Sequence, residues 1–126
     1  MKRSILNCML VLFLTGCASI TGHDEIHDFI PGTYVRILHD EFTGGVDSLI
    51  IQPINNGTET YSISRRTSYQ QTFEGKKLRP VYEKVEWVVT YQPATKQLMD
   101  AMHERVFTFI PKENKLLMGS AAYIKK

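Results

Sequence analysis

A chain of 126 residues with 15 basic and 13 acidic side chains suits one small domain and carries no field that would draw it to nucleic acid. Lys2 and Arg3 belong to an N-terminal leader, so the rest of the chain balances at 13 charges of each sign. Cys8 and Cys17 are the only thiols, which leaves everything after residue 17 without a disulfide, a cysteine nucleophile or a thiolate metal site.

The leader reads MKRSILNCMLVLFLTGCASI. Two cations precede an apolar run from Ile5 to Leu14 that is broken only by Asn7, and small residues follow at Thr15 and Gly16. This is the layout of a secretory signal. The run is about half of the ~20 residues that a membrane-spanning helix needs. Leu14-Thr15-Gly16-Cys17 resembles the bacterial lipobox. The resemblance implies that the Cys17 thiol is acylated and that cleavage leaves it as the new N-terminus. Two or more acyl chains hold a protein firmly on a bilayer without a transmembrane segment. Ala18 and Ser19 follow the cysteine where an aspartate would signal retention, so the default outer-membrane route is expected. The acidic pair Asp24-Glu25 resembles, weakly and displaced from the cysteine, the surface-export signals of some bacteria.

Residues 1–16 are thus read as a signal peptide, 17–31 as the lipidated cysteine and a tether, and 32–126 as an all-β domain. Pro31 closes the tether. The segment 33–39 alternates, with Tyr34, Arg36 and Leu38 on one face. A second strand runs over 46–54, after a Gly44-Gly45 loop, and Asn55-Asn56-Gly57 supplies a hairpin turn. The long segment 59–73 puts Tyr61, Ile63 and Tyr69 in phase, and Glu74-Gly75-Lys76-Lys77 turns the chain. In 79–92, Val81, Val85, Trp87, Val89 and Tyr91 share a face. Gln92-Pro93-Ala94-Thr95 fits a type I turn. Segments 97–102 and 105–110 flank a turn at His103-Glu104, and Pro111–Asn114 turns again before a last strand over 115–125. Residues 96–105 come nearest to a helical period and do not sustain it. About seven strands joined by short connections predict an antiparallel meander, as a curved sheet or a small barrel.

Few residues offer chemistry. His23-Asp24-Glu25-Ile26-His27 places two histidines four apart, but Asp24 stands where a zinc peptidase has its glutamate, and a third ligand is lacking unless His39 supplies it. No metal and no cofactor is expected. Serines 48, 62, 64, 68 and 120 sit in no nucleophile elbow, no glycine-rich phosphate loop occurs, and Asp40, Glu41 and Asp47 read as solvated loop charge. Arg65 and Arg66 fall mid-strand, so alternation sends one guanidinium to each face. The one on the tyrosine face needs a carboxylate or carbonyl partner, with Glu83 or Glu86 of the next strand as candidates. Arg65, Arg66 and Trp87 are the candidate anchors for a ligand or partner. Trp87 and the six tyrosines also read, more plainly, as core and rim packing.

PGTYVR (31–36), SISRRTSYQ (62–70) and FTFIPKENKLLMGSAAYIK (107–125) resemble a family of small lipoproteins of Bacteroidetes-type bacteria. The resemblance implies a short β-rich domain on a lipid anchor, an association with conjugative-transfer modules, and no catalytic residues to carry over. The expected function is therefore a lipid-anchored interaction module with a protein partner in the cell envelope, such as an envelope or conjugation assembly, and no nucleic acid. A lipocalin-like carrier of a small apolar ligand is the alternative, and Gly32-Thr33-Tyr34 resembles the Gly-x-Trp opening of lipocalins. A hydrolase comes third.

Overall fold

The computed structural model describes residues 24–55, 59–102 and 104–126. The segment expected to be a signal peptide, Cys17, His23, the Asn56-Gly57 residues expected to turn and His103 lie outside the described residues. A short helix α1 (Glu25–Phe29) leads into nine strands: β1 (Gly32–His39), β2 (Thr43–Pro53), β3 (Thr60–Phe73), β4 (Lys76–Lys77), β5 (Val81–Gln92), β6 (Gln97–Asp100), β7 (Val106–Ile110), β8 (Lys115–Met118) and β9 (Ala121–Lys125). Every neighbouring pair is antiparallel. All strands except β4 close into an eight-stranded up-and-down barrel, sealed where Tyr34 and Val35 of β1 pair with Lys125 and Ile124 of β9. β4 is the far end of the β3–β5 hairpin, set off by Leu78–Pro80, where the register against β3 shifts by one residue.

Alternation decides what fills the barrel. Tyr34, Leu49, Ile51, Tyr61, Ile63, Val89, Tyr91, Leu98, Phe107, Leu116 and Tyr123 all point inward and are buried. Eight strands enclose a space just wide enough for side chains to fill, and these aromatic rings fill it. Tyr34, Phe109 and Phe29 meet edge to face at centroid distances of 5.9 to 6.3 Å.

One end is plugged. Asp24 caps α1 by accepting from the amides of Ile26 and His27 at 3.1 and 3.2 Å. Pro31 cannot continue the helix. Ile30 is fully buried, and Ile26 and Phe29 pack against the core. The helix's last carbonyls do not go unpaired: the Tyr34 hydroxyl lies 2.8 and 2.9 Å from those of Phe29 and Ile30, and Lys125 Nζ donates to Phe29.

The expected meander is correct in class, and four local readings need correction. The tether is shorter than 17–31, because Ile26, Phe29 and Ile30 bury apolar surface that draws residues 24–31 into the fold. The 115–125 segment is two strands, because Gly119 takes φ +60° and reverses the chain. Gly44 and Gly45 belong to β2 rather than to a loop. A Cβ on Gly45 would lie 2.1 Å from the Ser68 carbonyl oxygen, so glycine there permits the close approach of β2 and β3. Lys76-Lys77, read as turn, forms β4.

The walls differ in height. At ~3.3 Å per residue, the 14 residues of β3 span roughly 45 Å and the four of β8 roughly 13 Å. The upper parts of β1, β2, β3 and β5 therefore stand above β6–β9 as a four-stranded wall on the open side of the barrel.

Candidate functional site

The base of this wall is built on Asp47. Gly45, Asp47, Leu49 and Ile51 share the inward phase of β2, so the carboxylate enters the barrel, and it is 0% exposed. Arg65 lies diagonally opposite on β3 and grips it with two hydrogen bonds, Nε to Oδ1 at 3.0 Å and Nη2 to Oδ2 at 2.8 Å. Thr67 Oγ1 donates at 3.1 Å, and the buried Tyr123 hydroxyl donates at 2.6 Å from β9. Burial alone would raise the Asp47 pKa, but the hydrogen bonds from Arg65 and Tyr123, the Arg65 charge and the Thr67 hydrogen bond outweigh it and hold the carboxyl below its ordinary value. Burial, with the hydrogen bond to Asp47, pushes the Tyr123 phenol up to about 12. The cluster ties β2, β3 and β9 together.

Asp47 is not the solvated loop charge the sequence suggests, because Gly44-Gly45 is strand and carries Asp47 into the barrel. Its phase with Leu49 and Ile51 was the available signal. Arg65 does take the tyrosine face, but its partner is Asp47 on the preceding strand instead of Glu83 or Glu86 on the next. Arg66 projects from the opposite, outer face, level with Ser48 and Lys84. Trp87 faces inward on β5, its ring 6.0 Å from Phe107, with the Arg105 guanidinium stacked 4.6 Å above it. Arg105 is held there by Asp100 at 3.4 Å. The three candidate anchors are thus not one site: Arg65 and Trp87 share the inner face, and Arg66 stands alone on the outer one. His27 contacts Tyr61 and Glu59 at the plugged end, at 3.1 and 3.2 Å.

Above the cluster the wall is open and mixes apolar with polar and charged side chains. Val81 and Val85 are exposed on its inner face, and Glu83 and Tyr69 stand 3.5 Å apart between them. On its outer face Val46, Ser48, Arg66, Ser68, Tyr82 and Lys84 line a shallow groove of about 350 Å³. The rim carries Phe42 and Phe73, each 64% exposed, and Leu78. Asp40 fixes the rim by accepting from the amides of Phe42 and Thr43 at 2.8 and 2.7 Å, and Thr72 N donates to the Phe42 carbonyl at 2.7 Å. Phe42 is thereby held next to the end of β3 that carries Phe73.

No group of three or more potential metal ligands occurs among the described residues, and no described helix is long and apolar enough to cross a membrane. No family model, curated protein or solved structure matches the chain.

Proposed function

We propose that this chain is a lipid-anchored interaction module of the bacterial cell envelope, which presents its tall wall to a protein partner. The observation that carries the reading is a contrast within one barrel. The interior is packed with aromatic rings, while the wall above it exposes Phe42, Phe73, Leu78, Val81, Tyr82 and Val85. Exposed apolar clusters of this kind on a small domain mark interaction surfaces. Aromatic side chains rimmed by charge, here Arg66, Lys84 and Glu83, are the composition that protein interfaces favour. The lipobox supplies the address: Cys17 carries the acyl chains, and the segment before Asp24 connects them to the plugged end of the barrel. Membership of the small-lipoprotein family, and service to a conjugation assembly, belong to the same proposal.

The carrier reading ranks second. The open mouth favours it, and the packed interior leaves it little room for a ligand. Affinity purification of the lipidated protein from its own membranes, with mass spectrometry of what co-elutes, separates the two. A stoichiometric envelope protein is expected. A partnerless chain that carries a lipid or small apolar molecule would overturn the reading.

A further inference from the structure

The barrel closes only in its lower half. β6 pairs with β5 at residues 89–92, so the upper stretch of β5, Val81–Val88, is hydrogen-bonded to β3 on one side and, among the described residues, to no strand on the other. Eight residues of unpaired edge are a template for another strand. Short edges, prolines and charges are the usual protections; here Pro80 guards the start, Glu83 points inward, and Lys84 and Glu86 put charge on the outer face, so only a strand whose charges complement these can pair with it.

The side chains along the edge narrow down what can pair with it. An antiparallel copy of the same segment must align about a whole residue, because only then do outward-facing backbone groups meet each other. Tyr91 N donates on the β3 side, to the carbonyl of Glu59 just before that strand at 2.7 Å, so by alternation the even-numbered residues 82, 84, 86 and 88 turn their backbone groups to the edge. Centred on Lys84, the pairing sets lysine against lysine. Centred on Glu86, it sets glutamate against glutamate. Centred on Val85, every pair is complementary. Lys84 meets Glu86 of the second copy, and the reverse. Tyr82 (77% exposed) meets Val88 (60% exposed) on the outer face. On the inner face Val85 meets itself, and Glu83 meets Trp87 with its stacked Arg105. Within one chain Lys84 and Glu86 already lie 3.3 Å apart, so the pairing gives an alternating ring of four charges.

We infer that two copies of this chain associate through the upper edges of β5, antiparallel and centred on Val85, to form one continuous sheet from the two walls. The association uses roughly eight backbone hydrogen bonds. It takes up Tyr82, Glu83, Lys84 and Val85 of the exposed wall and leaves the Phe42–Phe73 rims for the partner proposed above.

Val85 and its twin form a non-hydrogen-bonded pair, with Cα atoms ~4.5 Å apart, which is within disulfide range. The test is Val85→Cys in the full chain, oxidised mildly in native membranes and read on a non-reducing gel, beside Val88→Cys and the parent chain. A covalent dimer with Val85→Cys alone is expected. Lys84→Glu should weaken self-association of the detergent-solubilised chain about ten-fold, by placing like charges opposite each other twice, and Lys84→Glu with Glu86→Lys should restore it. These side chains are exposed, so the fold tolerates the changes. A monomer throughout, equal cross-linking at Val88, or failure of the charge swap to restore association would overturn the inference.

Discussion

Replacing Asp47 tests the structural reasoning at its most exposed point. The carboxylate is fully buried and accepts four hydrogen bonds, two from Arg65 and one each from Thr67 and Tyr123. Removing one partner of a buried ion pair costs about 3–5 kcal/mol, because the other charge is left without compensation. Arg65 is one-third exposed and can turn to water, which lowers its share. Tyr123 is fully buried, and leaving its hydroxyl unpaired costs about 1–3 kcal/mol. Asp47→Ala should therefore destabilise the domain by about 3 kcal/mol, which corresponds to a fall in Tm of about 12–20 °C for a domain of this size. Asp47→Asn keeps the shape and one acceptor, and should lose about 2 kcal/mol. Fluorescence of Trp87, the single tryptophan, reports unfolding in urea. Arg66→Ala, one residue along but on the exposed outer face, should stay within about 0.5 kcal/mol. An Asp47→Asn change as mild as Arg66→Ala would refute the account of the cluster.

Three further outcomes follow from the same structure. The Asp47 carboxyl titrates below its unfolded value of about 3.9, so its contribution is complete above that pH and is lost as the pH falls through the lower folded value; Asp47→Asn should flatten the acid limb of a stability–pH curve measured in urea. Gly45→Ala should cost more than about 2 kcal/mol, since its Cβ would lie 2.1 Å from a backbone oxygen, whereas Gly44→Ala meets nothing within 4 Å and should be close to neutral in the same urea titration. Ile30→Ala empties the centre of the plug and should cost about 2–4 kcal/mol, seen as a lower Tm and faster amide exchange in α1.

Much of the fold was legible because strand alternation is a local signal. The inward phase of Val85, Trp87, Val89 and Tyr91 could be read from β5 alone, as could the split of Arg65 and Arg66 to opposite faces. What was missed is long-range or too short for a period. The partner of Arg65 depends on the β2–β3 register, and Asp47, 18 residues back, could be chosen over Glu83 only once Gly44-Gly45 was known to be strand. A helix of five residues shows no periodicity, so α1 was hidden in an apparent tether until Ile30 was seen at the core. Barrel closure rests on two residue pairs between β1 and β9, which lie at opposite ends of the domain sequence. The inequality of the walls is a matter of strand length, and the sequence did show β3 and β5 as the longest runs.

In the proposed function, the rim of the wall is the working surface. Recovery of co-eluting envelope proteins should be compared between the parent chain and Phe42→Ser/Phe73→Ser, both purified from native membranes at equal yield. Both rings are 64% exposed, so the fold should be unaffected. The account predicts that the variant keeps its Tm and loses its partner. Undiminished recovery by a folded variant would contradict it.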